Sequence, residues 1–239
     1  MTSVASAPVA AVASVASVAV QARPVSLAGS RLLAVDPSLA GLLPDGGLRR
    51  GSVVMVAGRR QGATSLILGL LSAASAGGSW CGIVGIPDLG LVAAAAAGLD
   101  LGRVAIVAEV APAQWATVVS VLVDAVDVVV TSPPPHLRLG DARRLMTRVR
   151  ERASVLIANG SWPEGADVRV TVQQARWVGP GAGDGHLEGR QIDVVTGGRG
   201  AASRSRQVTL WLPGMAYAGA DLEAGAADEA MLGHVATAG

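Results

Sequence analysis

The stretch Ala57-Gly58-Arg59-Arg60-Gln61-Gly62-Ala63-Thr64 has the spacing of a phosphate-binding loop without its full chemistry. A working loop reads Gly, four residues, Gly-Lys, then Ser or Thr. Its glycines let backbone N–H groups curl around phosphate oxygens. Its lysine offsets the charge of the β- and γ-phosphates, and its hydroxyl holds magnesium. Here Gly62 and Thr64 stand in place, but Ala57 replaces the first glycine and Ala63 replaces the lysine. All 19 basic residues are arginines, so no lysine elsewhere can substitute. Arg59 and Arg60 could reach a phosphate, but from the wrong side of the loop. The loop alone reads equally well as a relic of phosphate binding and as an ordinary strand–loop–helix turn with two solvated arginines.

Other chemistry is sparse. His136, His186 and His234 lie far apart and have no ligand spacing, so they read as loop or solvated histidines rather than a metal site. Cys81 is the only cysteine, which excludes a disulfide within the chain and a Cys-rich zinc site. There is no Gly-x-Ser-x-Gly elbow and no evident Cys/His pair. The 18 acidic residues do not resolve into a carboxylate dyad.

Composition sets the frame for these residues. The chain has 239 residues, of which 51% are hydrophobic and 15% charged, enough for a sizeable core and too apolar for wholesale disorder. One large domain is favoured over two small ones. The formal net charge of +1 gives no global pull toward nucleic acid or an anionic membrane; such binding requires a local patch. The absence of lysine and phenylalanine, with Ala, Gly, Val and Arg in their place, reads as the coding bias of a GC-rich genome. Residues 1–22 are apolar and uncharged. No basic residue precedes them, and Ala, Val and Ser are too weakly hydrophobic for a membrane span, so a cytoplasmic protein is expected.

The elements that must position the loop follow from periodicity. Ser52 to Ala57 is short, β-branched and apolar throughout, the pattern of a buried strand. Thr64 to Ala76 is apolar on every side, the pattern of a core helix. The alternation repeats. Trp80–Gly85, Val104–Val107, Val126–Val130 and Ser154–Ala158 read as strands. Leu89–Ala97, Pro112–Asp124 and a helix capped by Asp141 and running to Arg152 lie between them. Apolar strands alternating with helices mean a parallel sheet covered on both faces. Val168–Trp177, His186–Thr196 and Gln207–Leu212 then follow without helices and should form an antiparallel extension. In the helix ending at Arg152, Ala142, Leu145, Met146 and Val149 form the apolar stripe. Its arginines at 143, 144, 148, 150 and 152 project elsewhere, and a solvated face is favoured over a nucleic-acid or partner patch. The tryptophans are expected in the core or on strands. The chain divides into a low-complexity arm (1–27), a core (28–213) and a flexible or short-helical tail (214–239).

From Leu42 to Leu212 the chain resembles the RecA recombinase core in the order and spacing of its segments. Leu43-Pro-Asp-Gly-Gly-Leu-Arg-Arg-Gly-Ser-Val-Val54 matches the family's lead-in to its P-loop. Leu89 to Asp100 matches the helix and turn after the second strand, and Val126-Asp-Val-Val-Val130 the fourth strand. Val168 to Trp211 matches the C-terminal strands, with Arg199-Gly-Ala-Ala202 near a family lysine that reaches across a subunit interface. The resemblance implies an α/β RecA-like P-loop fold: a mostly parallel central sheet flanked by helices, with a C-terminal antiparallel extension. It also makes Arg199, Arg204 and Arg206 a possible interface.

The departures from that family are consistent with one another. The glutamate that activates water falls near Ile86, and the magnesium-linked aspartate falls at Val130-Thr131-Ser132, with Asp127 at the far end of its strand. With Ala63, three catalytic positions (Ala63, Ile86 and Thr131) are lost together. The family's two DNA loops are cut down to Pro133-Pro-Pro-His136 and Gly160-Ser-Trp-Pro-Glu-Gly-Ala166. Such a core, rich in Ala and Arg, resembles the ImuA-type accessory proteins of actinobacteria, most closely over Gly78-Ser-Trp-Cys-Gly-Ile-Val-Gly-Ile-Pro-Asp-Leu-Gly-Leu-Val92. This resemblance implies a non-catalytic adaptor in SOS-type, damage-induced translesion synthesis and mutagenesis. Its partners would be an ImuB-like Y-family protein and an error-prone polymerase α subunit, with RecA or a second copy also open. Weak or no ATP binding, no metal, weak or indirect DNA contact and no membrane contact are expected. Two alternatives stay open: an ATPase using Arg59 or Arg60 for the missing lysine, and a regulator of RecA filaments.

Overall fold

The computed structural model describes residues 31–58, 62–178 and 189–212. Arg59, Arg60, Gln61, His186, His234, the arm and the tail lie outside them. The described chain is α/β. An eight-stranded sheet runs in the order β10-β9-β8-β3-β7-β6-β4-β5. Its strands are β3 (Val53–Gly58), β4 (Cys81–Val84), β5 (Val104–Val107), β6 (Val128–Thr131), β7 (Val155–Asn159), β8 (Val168–Val178), β9 (Gly189–Gly198) and β10 (Arg206–Leu212). The short β1 (Leu32–Leu33) and β2 (Leu48–Arg49) pair separately. Pairings from β5 through β3 to β8 are parallel, and those of β9 with β8 and β10 are antiparallel. The expected extension therefore needs one correction: its first strand, β8, joins β3 in parallel, and antiparallel pairing begins at β9.

Helices cover both faces, which is why β4 and β6 are buried at every residue. On one face α1 (Pro37–Ala40), α2 (Ala63–Ala76) and α3 (Leu91–Ala96) pack over a core that includes Leu66, Leu70, Val56, Ile83 and Val130. On the other, α4 (Pro112–Ala125) and α5 (Leu139–Arg152) pack over Val119, Leu122, Val129, Leu145 and Leu156. Fully burying each such aliphatic side chain contributes about 1.5–3 kcal/mol.

Helix α2 carries the sequence pattern faithfully: Leu66 through Leu71 are all buried, with no solvent face in its middle turns. In α5 the buried set is the expected stripe, Ala142, Leu145, Met146 and Val149. Its start is not as expected. The helix begins at Leu139, with Arg138 at the cap position and Asp141 inside the first turn. There Asp141 complements the partial positive charge of the helix start but caps nothing. Trp115 and Trp162 are core residues, and Trp177 and Trp211 lie on strands with exposed rings. Among the described residues, no helix is long and apolar enough to cross a membrane.

Candidate functional site

The segment that has phosphate-loop spacing leaves the carboxyl end of β3, in the middle of the sheet. Open parallel sheets present ligand sites at this end, where neighbouring strands send their connections in opposite directions. Ala57 and Gly58 close β3; Gly62 sits at the cap of α2, followed by Ala63 and Thr64 in its first turn. Gly62 has φ of 105°, a left-handed conformation that favours glycine. A Cβ there would also stand 3.3 Å from Ile192 Cγ2. A Cβ on Gly58 would lie 3.1 Å from Val172 Cβ and 3.6 Å from the Ala63 methyl. The loop ends are thus set close together, against apolar side chains of β8 and β9. Ala63, at the position of a phosphate-binding lysine, packs against the core instead.

The two other positions singled out in the sequence lie at the same end of the sheet, on adjacent strands. Val84 of β4 pairs with Thr131 of β6, and the Ser132 N–H donates to the Val84 carbonyl at 3.1 Å. Ile86 follows β4 and is buried in the α2-side core. Thr131 is fully buried toward the α4 side. Its hydroxyl accepts a hydrogen bond from Trp115 Nε1 at 2.8 Å. The Trp115 ring in turn lies 6.5 Å from that of Trp162. Both positions are therefore absorbed into packing. Sequence reasoning missed Trp115 as the cover of Thr131; the only available signal was an aromatic in the first turn of the helix that precedes β6.

The segments compared with DNA loops are also part of the packing. After β7 the chain crosses from the carboxyl end of the sheet to the amino end of β8 within residues 160–167. Trp162 and Ala166 are buried in the α4–α5 core, and the Asp167 carboxylate accepts the Val53 N–H at 2.8 Å. The segment is a strap over the sheet. After β6, Pro133 and Pro134 are half-buried, His136 is exposed, and the Leu137 N–H closes a turn on the Pro134 carbonyl.

Asp127 lies at the opposite end of β6, as the sequence placed it, and serves a different purpose. Both Nη atoms of Arg50 donate to Asp127 Oδ1 at 2.9 Å, and its Oδ2 accepts the Trp80 N–H at 3.1 Å. This buried pair ties β2 to the start of β4 and β6. Neighbouring Cys81 is fully buried; burial, reinforced by the Asp127 charge, pushes its thiol up to about 12.

The arginines of α5 are largely matched. Arg143 pairs with Glu164, Arg144 with Asp141, and Arg148 and Arg152 with Asp124. This is the geometry of a solvated, salt-bridged face. Arg199, Arg204 and Arg206 gather at the amino end of the sheet, around the β9–β10 turn, remote from the loop at Gly62. Arg199 donates to the Glu164 carbonyl; Arg204 and Arg206 are exposed. Among the described residues, no group of His, Cys, Asp and Glu is arranged to hold a metal ion.

Residues 41–164 match the family model of the MT3502 N-terminal domain. The chain is also similar to a Mycobacterium tuberculosis (strain ATCC 25618 / H37Rv) protein described as "Uncharacterized protein Rv3395c". The two are 33% identical over 157 residues, which cover 60% of this chain and 70% of that protein.

Proposed function

The chain belongs to the MT3502 N-terminal domain family, and we propose that it is a non-catalytic adaptor of RecA-like fold. In this reading it acts in DNA-damage-induced translesion synthesis, binding an ImuB-like protein and an error-prone polymerase. One observation carries the non-catalytic half: the positions that a RecA-like ATPase needs for turnover are filled by side chains already engaged in packing. Ala63 offers a methyl group, Ile86 lies in the core, and Thr131 is covered by Trp115. A transferring phosphoryl group needs charge neutralisation and a positioned water, and these residues supply neither. The parallel order β4-β6-β7-β3-β8, with the glycine-bearing loop leaving its middle strand, supports the RecA-like reading. The strap at 160–167 supports weak or indirect DNA contact, because its apolar residues face the core.

The experiment is direct. Calorimetry with ATP and magnesium on the full chain should show no binding heat, and phosphate release should equal the blank. Release that Thr64→Ala abolishes would end the non-catalytic reading. The left-handed Gly62, which keeps one glycine of the loop pattern, favours a second outcome, nucleotide binding without turnover. Micromolar ATP binding lost in Arg60→Ala would establish it. Co-purification with the ImuB-like protein and the polymerase tests the adaptor half, and failure with both would remove it.

A further inference from the structure

Much of the positive charge that meets no described carboxylate lies at the amino end of the sheet. There Arg31, Arg150, Arg199, Arg204 and Arg206 come together from three stretches of the sequence, and none of them is in an ion pair with another described residue. On α5 itself the contrast is sharp, since Arg143, Arg144, Arg148 and Arg152 all meet a carboxylate and Arg150 does not. The acids that line a hollow at this edge are Asp45, which is paired with Arg49, and Asp167, whose carboxylate accepts the Val53 N–H. Charge held unpaired in one place is a selective attractor for negative partners.

The same edge is concave. A hollow of about 340 Å³ opens between the turn before β2, the end of α5 and the β9–β10 turn. Arg150 and Arg199 stand on its rim, and Pro44 and Ala201 give it apolar surface over the buried Leu43, Leu48 and Val168. A much smaller depression, bordered by Arg204 and Arg206, continues it, sharing Pro44, Val168, Ala201 and Ala202. Among the described residues no aromatic lines either one, so they offer nucleobases no stacking surface of the kind that single-strand binders use. An apolar floor inside a cationic rim instead complements a peptide that sets a large aliphatic side chain among carboxylates.

We propose that this edge is the protein's docking site for an acidic, aliphatic peptide segment of a partner protein. The arginines of the rim pair with its carboxylates, and the hollow takes its aliphatic side chain. The inference deepens the adaptor reading and rests on it only in taking the partner to be a protein.

The test is selection of a random peptide library on the intact chain, compared with the Arg150→Glu/Arg204→Glu/Arg206→Glu variant. These side chains are exposed, and circular dichroism checks the fold. The expected consensus combines Asp or Glu with Leu, Ile or Met. The selected peptide should bind at least about tenfold more weakly to the triple variant. Ala201→Trp, which fills the hollow without altering charge, should weaken it similarly. A consensus lacking either element, or equal selection by the triple variant, overturns the proposal. So does single-stranded oligothymidylate that displaces the peptide and binds Ala201→Trp normally, because that outcome makes the edge a phosphate-binding surface. ATP calorimetry does not involve this edge, so failure here leaves the silent nucleotide loop standing, and failure there leaves the docking site.

Discussion

The indole Nε1 of Trp115 donates to the Thr131 hydroxyl at 2.8 Å, and both residues are sealed from solvent. The bond joins the first turn of α4 to the last residue of β6. A metal-linked carboxylate at that strand end would need water and a cation. The protein places a neutral bond inside an apolar core there, so the hydroxyl is satisfied and no charge is buried.

Removing the donor exposes the cost. Trp115→Phe keeps one aromatic ring but loses the pyrrole ring with its N–H, so it should destabilise the fold by about 1–3 kcal/mol for the unpartnered Thr131 oxygen, and by more for the cavity left behind. Urea unfolding should show a lower midpoint at an unchanged slope. Thr131→Asp should cost more, because an unpaired carboxylate would enter the core, and it should restore no magnesium-dependent phosphate release. The double variant Trp115→Phe/Thr131→Val should recover the part of the loss that comes from the unpartnered hydroxyl.

The Arg50–Asp127 pair should behave as a buried ion pair. Arg50→Met leaves a buried aspartate uncompensated and should lose about 3–5 kcal/mol in denaturant unfolding. Asp127→Asn added to it removes the stranded charge while keeping an oxygen for the Trp80 N–H. That double variant should be more stable than Arg50→Met alone. If it is not, the carboxylate charge is not what Arg50 serves.

How much of this was readable from the chain depends on the range of the interaction. The strand–helix alternation and the α5 stripe were legible, because burial on a sheet face or helix face repeats at a fixed local period. The start of α5 was misplaced by Asp141, whose carboxylate suits a cap and a first turn alike. The parallel entry of β8 was missed because the strap at 160–167 replaces the helix that would have announced a crossover. Of the site, the loop from Ala57 to Thr64 and the positions Ile86 and Thr131 were visible as residue types. The burial of Ile86 and Thr131 was not, because it depends on partners such as Trp115 that local patterns do not identify. Arg50 and Asp127 are 77 positions apart, and no spacing rule links them.

Asp124 gives a pH signature. The hydrogen bond from Arg148, with the charges of Arg148 and Arg152, holds its carboxyl below the ordinary aspartate range despite partial burial. The folded value therefore lies below the unfolded one, about 3.9. Its stabilisation is complete above the unfolded value and is lost as pH falls through the folded one. Asp124→Asn should cost no more than about 1 kcal/mol at neutral pH, because the groups are partly exposed. The gap from the unmutated chain should close in acid. A gap that persists there would show that Asp124 acts through shape rather than charge.

Cys81 should be silent to thiol reagents in the native state, since it is fully buried and its thiol is raised to about 12. Ellman's reagent should label it only on unfolding. As it follows Trp80, whose N–H Asp127 holds, its labelling rate should rise in Arg50→Met in step with the lost stability. Prompt labelling of the unmutated protein would contradict the packing of β4 between β5 and β6.

The position of β3 also bears on how the chain is made. Its neighbours are β7 and β8, and Gly58 finds its partner only at Val172. A ribosome therefore emits the middle strand long before either flank exists, and the nascent chain must keep that strand's edges from pairing elsewhere. A fragment ending at residue 164, where the family match ends, would lack β8 and leave the second edge bare. The segment that defines the family is thus shorter than the segment that can complete its own sheet, and expression of the shorter piece should yield aggregates where the chain through Leu212 yields folded protein.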